Sequence, residues 1–188
     1  MRGGAKQYMD NQIMERVKQN DKDAYEQIVV KHWKRAIQFA NTYVKNREDA
    51  EDIVQECFVK IYINRMSYNC SYTFKTYLYT LVRNRCIDII RKKQVRKVKE
   101  AHLEEDFDMQ EAPERIMLTK ERKTYLLTIL NELNKEYRIA LYLYAYEELS
   151  YEEIGRIMKK TTAQIKITIY RARKRMKKIY KGGELDEI

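Results

Sequence analysis

Apolar residues recur at spacings of three and four along most of the chain, the period of helices that bury one face. The pattern is clearest over Leu149–Tyr180. Ser150 predicts a helix start, with Glu153 at the capping-box distance, and Ile154, Ile157 and Met158 form the stripe that follows. The run Lys159-Lys160-Thr161-Thr162 interrupts that stripe, and Thr161 or Thr162 can cap a second helix. On the second helix Ile165, Ile169, Ala172, Met176 and Ile179 share a core-facing side, while Lys166, Ile167, Tyr170, Arg171 and Lys174 share the other. From Lys166 to Lys181 there are eight basic residues and no acidic one. A short helix followed by a longer cationic one predicts a helix-turn-helix whose second helix enters the DNA major groove. Taken alone, the same stretch also fits a solvated cationic face, or a membrane-surface or calmodulin-like helix.

The rest of the chain reads in the same period. Residues 1–9 read as loose, and a helix begins near Asp10 with Ile13, Met14 and Val17 apolar. Asp21 or Asp23 can cap the next helix, whose stripe is Tyr25, Ile28, Val29, Trp33, Ala36, Ile37, Ala40 and Tyr43, with Asn46 as its stop. In REDAEDIVQECFVKIYINR the apolar face is Ala50, Ile53, Val54, Cys57, Phe58 and Ile61, and Asp49, Asp52 and Glu56 share another face with Gln55 beside them. NRMSYNCSYT has no clear period and reads as a loop. Phe74–Lys93 returns to a helix, with Leu78, Leu81, Val82, Cys86, Ile89 and Ile90 inward. Lys75, Tyr79, Arg83, Asn84, Asp88, Arg91 and Lys92 then lie near the surface. A second helical module begins near Leu118, with Tyr125, Leu126, Ile129, Leu130 and Leu133 on one helix and Tyr137, Ala140, Leu141, Leu143 and Tyr144 on the next. The fold predicted is all-α: two small helical domains, 8–95 and 118–181, joined by an acidic flexible linker, 96–117, that contains the only proline, Pro113.

Charge sharpens this picture. The net charge of +10 makes a phosphate polymer the natural partner. A second cationic stretch, Arg83 to Lys99, has eight basic residues against one acidic residue, Asp88. The aromatics earlier on the same helix, Phe74, Tyr77 and Tyr79, set among cations, suit single-stranded DNA, where each stacked base is worth about 1–3 kcal/mol. A tyrosine-rich core helix with a solvated edge fits that spacing equally well. The acidic linker is a solubilising spacer, or a nucleic-acid mimic that threads a positive channel. Cys57, Cys70 and Cys86 are odd in number and contain no CxxC, and Cys57 and Cys86 lie in apolar helical patterns, so buried thiols are expected at those two positions, in a reducing cytoplasm. The acidic face could bind a divalent metal only with further ligands. His32 and His102, the only histidines, lack a ligand spacing, so no metal or cofactor is expected. No apolar run approaches the roughly 20 residues of a membrane span, and the first residues lack a signal-peptide pattern, so no direct membrane insertion is expected.

The order of these pieces over about Asp23–Tyr180 resembles bacterial RNA polymerase sigma factors of the extracytoplasmic-function (ECF) type. DAYEQIVVKHWKRAIQFA, REDAEDIVQECFVKIY and FKTYLYTLVRNRCIDIIRKK resemble the second conserved sigma region. LNELNKEYRIALYLYAYEELSYEEIGRIMKKTTAQIKITIYRARKRM resembles the fourth. The resemblance implies a non-enzymatic protein of the small two-domain type that binds core RNA polymerase and promoter DNA. It implies that Asp49, Asp52, Gln55 and Glu56 dock on a coiled coil of the largest polymerase subunit. Tyr68, Asn69, Ser71 and Tyr72 would line a pocket for a base flipped from the minus-ten element, and Arg83, Asn84, Asp88 and Arg91 would border the melted duplex. Thr162, Gln164, Lys166, Ile167, Tyr170, Arg171 and Lys174 would read the minus-thirty-five element, with Thr162 suited to a phosphate, Gln164 to adenine and Ile167 to thymine methyls. Tyr77 stands where the family commonly has Trp, and the turn KKTT lacks the usual Gly. The resemblance further implies an anti-sigma factor as a partner.

Two other classes compete. A dimeric helix-turn-helix regulator would bind duplex DNA without polymerase, but leaves DAEDIVQE without a role. An enzyme acting on nucleic acid lacks a phosphate-binding glycine loop and any metal-ligand spacing.

Overall fold

Capping side chains set where the helices begin. The computed structural model describes residues 3–100 and 132–180, and every regular element among them is helical. The chain divides into two units, Met1–Ala112 and Pro113–Ile188. The described part of the first contains α1 (Gly3–Lys18), α2 (Lys22–Val44), α3 (Arg47–Ile63) and α4 (Phe74–Glu100). Asp21 caps α2 by accepting from the Ala24 amide at 2.9 Å, and Asn46 caps α3 by accepting from the Asp49 amide at 2.9 Å. These side chains satisfy amides that the first helical turn leaves without a partner.

Several details differ from the sequence reading. Helix α1 starts at Gly3, well before Asp10. Asn46 opens α3 and does not stop α2; Lys45 closes α2 in the left-handed conformation, at φ 55°. Tyr79, expected near the surface, is fully buried. The reason is the position of α4, which packs on α1, α2 and α3 and so buries more than one stripe. Tyr79 meets the edge of Phe39 at a ring separation of 4.8 Å, and Phe39 meets Tyr43 at 5.4 Å. Met14, Ile28, Ile53, Ile61, Phe74 and Leu78 complete the centre of this core. Leu81, Ile89 and Ile90 are only half-buried. Cys57 and Cys86 are buried thiols, and burial pushes Cys57 up to about 12.

The described part of the second unit contains α5 (Lys135–Leu141), a π-helical turn (Tyr142–Tyr146), α6 (Tyr151–Met158) and α7 (Thr162–Tyr180). Asn134 caps α5 by accepting from the Tyr137 amide at 2.8 Å. The Glu147 amide reaches back five residues to the Tyr142 carbonyl at 3.1 Å, which closes the π turn. The predicted capping box at α6 is present: Ser150 accepts from the Glu153 amide, and Glu153 accepts from the Ser150 amide at 2.8 Å. Leu133, Ile139, Leu143, Ile154, Ile157, Ile165, Ile169 and Ala172 are buried together as the core of this unit. Residues 101–117 of the expected linker, with His102 and Pro113, and the expected helix residues Leu118, Tyr125, Leu126, Ile129 and Leu130 lie outside the described residues. Residues 96–100, assigned to that linker, belong to α4.

Candidate functional site

Gly155 determines how closely α6 approaches the turn before α7. A Cβ at that position would stand 2.6 Å from the Lys160 carbonyl oxygen. Without it, the Lys160 amide donates to the Gly155 carbonyl at 2.8 Å. Lys159 supplies the reversal in the left-handed conformation, φ 56° and ψ 48°, in place of the expected glycine. Thr161, and not Thr162, caps α7: its hydroxyl accepts from the Gln164 amide at 3.2 Å, and the Gln164 carboxamide accepts from the Thr161 amide at 2.9 Å. Glu136 of α5 braces the same corner, ion-paired to Lys160 at 2.9 Å and accepting from the Thr168 hydroxyl at 3.2 Å.

This frame presents an outward face on α7. Ile165, Ile169 and Ala172 are buried, whereas Thr162, Gln164, Lys166, Ile167, Tyr170, Arg171 and Lys174 are all exposed. Ile167 is 50% exposed and Tyr170 66%, large values for apolar surface, which no other part of the unit covers among the described residues. The sequence reading missed a neighbouring ladder. The Tyr144 and Tyr151 rings stack at 5.2 Å and 6°, the Arg173 guanidinium lies 4.8 Å from the Tyr144 centroid, and Lys166 lies 6.0 Å from that of Tyr151. Cations over ring faces are attracted by the ring quadrupole. A hydrogen bond with Tyr151, and then Arg173, lowers the Tyr144 phenol below its ordinary value; the same bond raises Tyr151.

In the first unit α3 turns Asp52, Gln55 and Glu56 outward, and Asp49 is half-buried beside them. Arg85 of α4 pairs with Glu56 and Lys93 with Asp49, each at 2.5 Å. Asp52, Gln55 and Glu56 line a shallow hollow of about 390 Å³ with Val59, Lys60, Ile63 and Asn64. A second hollow of about 500 Å³ adjoins it through Gln55, Val59 and Ile63, and Trp33, Phe58 and Tyr62 make it strongly apolar. Val59 and Ile63 are 53% and 68% exposed.

The loop after α3 carries one 3₁₀ turn, Arg65–Ser67, and then the polar residues before α4. Asn69, Ser71 and Tyr72 are exposed, and the Asn69 carboxamide accepts from the Ser71 amide at 2.8 Å. Tyr68 sits differently from its neighbours. It is 4% exposed, its ring packs near Phe74 and Tyr77, and its hydroxyl donates to Asn11 at 2.7 Å. Arg83 and Asn84 are half-buried on α4 and hydrogen-bonded to each other at 3.2 Å, while Asp88 and Arg91 are exposed. Beneath this region lies a buried pair that the sequence reading also missed. His32 Nε2 donates to Asp10 at 2.9 Å, and Lys31 reaches the other Asp10 oxygen at 2.5 Å. Burial alone would raise the Asp10 carboxyl, but hydrogen bonds from His32 and Lys31 and their charges outweigh it and hold it below its ordinary value.

Both units match known sequence families. The Sigma-70 region 2 family model matches residues 28–96, and the Sigma-70 region 4 model matches residues 123–176. The ECF RNA polymerase sigma factor SigM of Bacillus subtilis is 36% identical over 79% of this chain and 90% of its own length. The chain belongs to the ECF family of sigma factors. The ECF sigma-E factor of Haemophilus influenzae is 30% identical over 90% of the chain and 94% of its own length. The fold is also that of CnrH, solved with the cytosolic domain of CnrY: TM-score 0.65, 17% identity, 93% of this chain and 99% of CnrH covered. The sigma factor RpoE of Bartonella quintana, solved with the anti-sigma factor NepR, gives TM-score 0.65 at 23% identity over 85% of this chain and 98% of its own. As an ECF sigma factor the chain binds core RNA polymerase, directs it to promoters and catalyses no reaction itself. That decides against the polymerase-independent regulator. Among the described residues no helix is long and apolar enough to cross a membrane.

Proposed function

We propose that residues 8–95 hold the polymerase-docking and minus-ten surfaces of this sigma factor, that 118–181 read the minus-thirty-five element, and that the stretch after α4, 101–117, tethers the two. The observation that carries this reading is the chemistry of the two surfaces on the first unit. Helix α3 offers Asp52, Gln55 and Glu56 edged by exposed Val59 and Ile63, a face suited to a basic, partly apolar helical partner. The loop and α4 offer amides, a hydroxyl, an exposed tyrosine and cations, the groups that meet unpaired bases and phosphates. Asp49 completes the docking face, with its charge shared with Lys93.

Promoter opening then divides among named residues. Asn69, Ser71 and Tyr72 receive a base extruded from the minus-ten element, and Tyr68 supports them from beneath. Extrusion costs a few kcal/mol, so stacking and edge hydrogen bonds must return that energy. Arg83, Asn84, Asp88 and Arg91 flank the melted strand. On α7, Lys166, Arg171 and Lys174 meet phosphates or base edges, Thr162 a phosphate near the helix N-terminus, and Ile167 and Tyr170 the apolar or aromatic edges of bases. Gln164 reads adenine only if its carboxamide leaves the cap on Thr161.

An anti-sigma factor is the natural regulator, since the Bartonella quintana relative was solved with one. The apolar hollow around Trp33, Phe58 and Tyr62 gives such a partner a surface that overlaps the polymerase face at Gln55, Val59 and Ile63. Selection of promoters from a random DNA pool with core polymerase tests the whole reading. It predicts two enriched elements and a permanganate-reactive bubble at the downstream one. Enrichment of a single duplex element with no bubble would refute it.

A further inference from the structure

Helix α1 precedes the segment that matches sigma region 2, yet it makes the contacts that shape the promoter loop. Its residues divide into two stripes. Asp10, Met14 and Val17 are buried in the core of the unit. Asn11, Glu15 and Lys18, each one position further along, face residues 68–72. Asn11 grips the loop with both ends of its carboxamide. Its oxygen accepts from the Tyr68 hydroxyl at 2.7 Å, and its nitrogen donates to the Cys70 carbonyl at 3.3 Å. The Tyr68 hydroxyl also lies 3.3 Å from the Tyr72 carbonyl, so one buried phenol joins Asn11 to the far end of the loop. Glu15 accepts from the Cys70 thiol at 2.9 Å, and Lys18 stands 5.8 Å from the Tyr68 centroid.

We infer that Asn11 is a positioning residue for base capture. It touches no DNA; it holds the loop in the shape that presents Asn69, Ser71 and Tyr72. The buried Asp10–His32 pair fixes the rotation of α1, so that the carboxamide one residue along meets the loop. A loop of exposed polar residues has many conformations of similar energy, and holding it beforehand lowers the entropy lost on binding. This inference rests on the proposal that the loop receives a minus-ten base.

The test uses holoenzyme made from the full chain and core polymerase. The probe is a labelled single-stranded oligonucleotide with the selected minus-ten sequence, compared with the same strand abasic at the captured position. Asn11→Ala should weaken binding of the intact strand by about tenfold, the scale of one lost interior hydrogen bond, and leave the abasic strand within about twofold. Tyr68→Phe, which removes one oxygen, should give the same pattern, and the two changes together should cost less than the sum of the two, because they share the Asn11–Tyr68 bond. Gln12→Ala, exposed on the same helix, serves as the control and should bind both strands normally. If Asn11→Ala or Tyr68→Phe weakens both strands equally, the role is only structural and the inference is overturned. If both bind the intact strand normally while Asn69→Ala and Tyr72→Ala lose it, the inference is overturned and the base-capture reading stands. If the loop variants also bind normally, the base-capture reading itself is wrong, and the inference with it.

Discussion

Arg85 on α4 donates to Glu56 on α3, and Lys93 on α4 reaches Asp49 two turns earlier on the same partner helix. Two of the four polar side chains assigned to polymerase docking are therefore also tied to the cationic helix assigned to DNA. Asp52 lies between them on α3 without such a tie among the described residues.

Asp52 is thus the clean probe of docking. Asp52→Lys puts a cation against a basic partner and should weaken core binding by about tenfold or more, with no change in thermal unfolding. Glu56→Ala should also weaken docking, at little expense in fold stability, because an exposed ion pair contributes only about 0–1 kcal/mol. Competition with a labelled sigma factor for limiting core enzyme measures both.

The Asp10–His32 pair makes the opposite kind of prediction. Both residues are almost fully buried, and Asp10→Ala would leave the His32 Nε2 without its partner at a cost of about 1–3 kcal/mol, so the variant should unfold the first unit at a lower denaturant concentration. The pair also sets an acid limit. Asp10 has a carboxyl held below its ordinary value of 3.8, so its contribution is complete above that value and is lost as pH falls through the lower folded one. Denaturant titrations between neutral and strongly acidic pH should show a loss of stability in that window, and Asp10→Asn should flatten it.

Gly155→Ala should damage the second unit. The added methyl would meet a backbone oxygen at 2.6 Å, and no flexible side chain is there to give way. Overpacking of this kind costs about 1–3 kcal/mol, and a contact with backbone belongs at the upper end. Calorimetry of the full chain should show the loss.

On α7 two substitutions should separate affinity from sequence preference. Lys174→Ala should weaken binding to all promoters alike and reduce the slope of log affinity against log salt by about 1. Ile167→Ala should leave that slope unchanged and relax one position of the minus-thirty-five element by about 1 kcal/mol. Holoenzyme binding to a panel of single-base promoter variants at several salt concentrations distinguishes them.

The helix-turn-helix was legible in the sequence because its signals are local. Ser150 and Glu153 sit three residues apart, and the stripe from Ile165 to Ala172 follows one helical period. The acidic face of α3 was legible for the same reason. Tyr79 was misplaced because a single-period reading allows α4 one buried side, whereas three helices pack on it. The π turn at Tyr142–Tyr146 has no sequence signature distinct from a continuing α-helix. The link between Asp10 and His32 spans 22 residues, beyond any local pattern. A clue was nonetheless present. Asp10 precedes buried Met14 by four residues, and His32 lies four after Ile28 and four before Ala36, so each polar residue stands on a stripe that the core should claim.

Lys159 occupies a conformation that suits glycine, and the left-handed region costs a side chain with a Cβ about 1–2 kcal/mol. Glycine there would make a hardier protein and strip one cation from the corner that leads into α7. The chain thus keeps backbone strain in the reversal that sets α7 against α6.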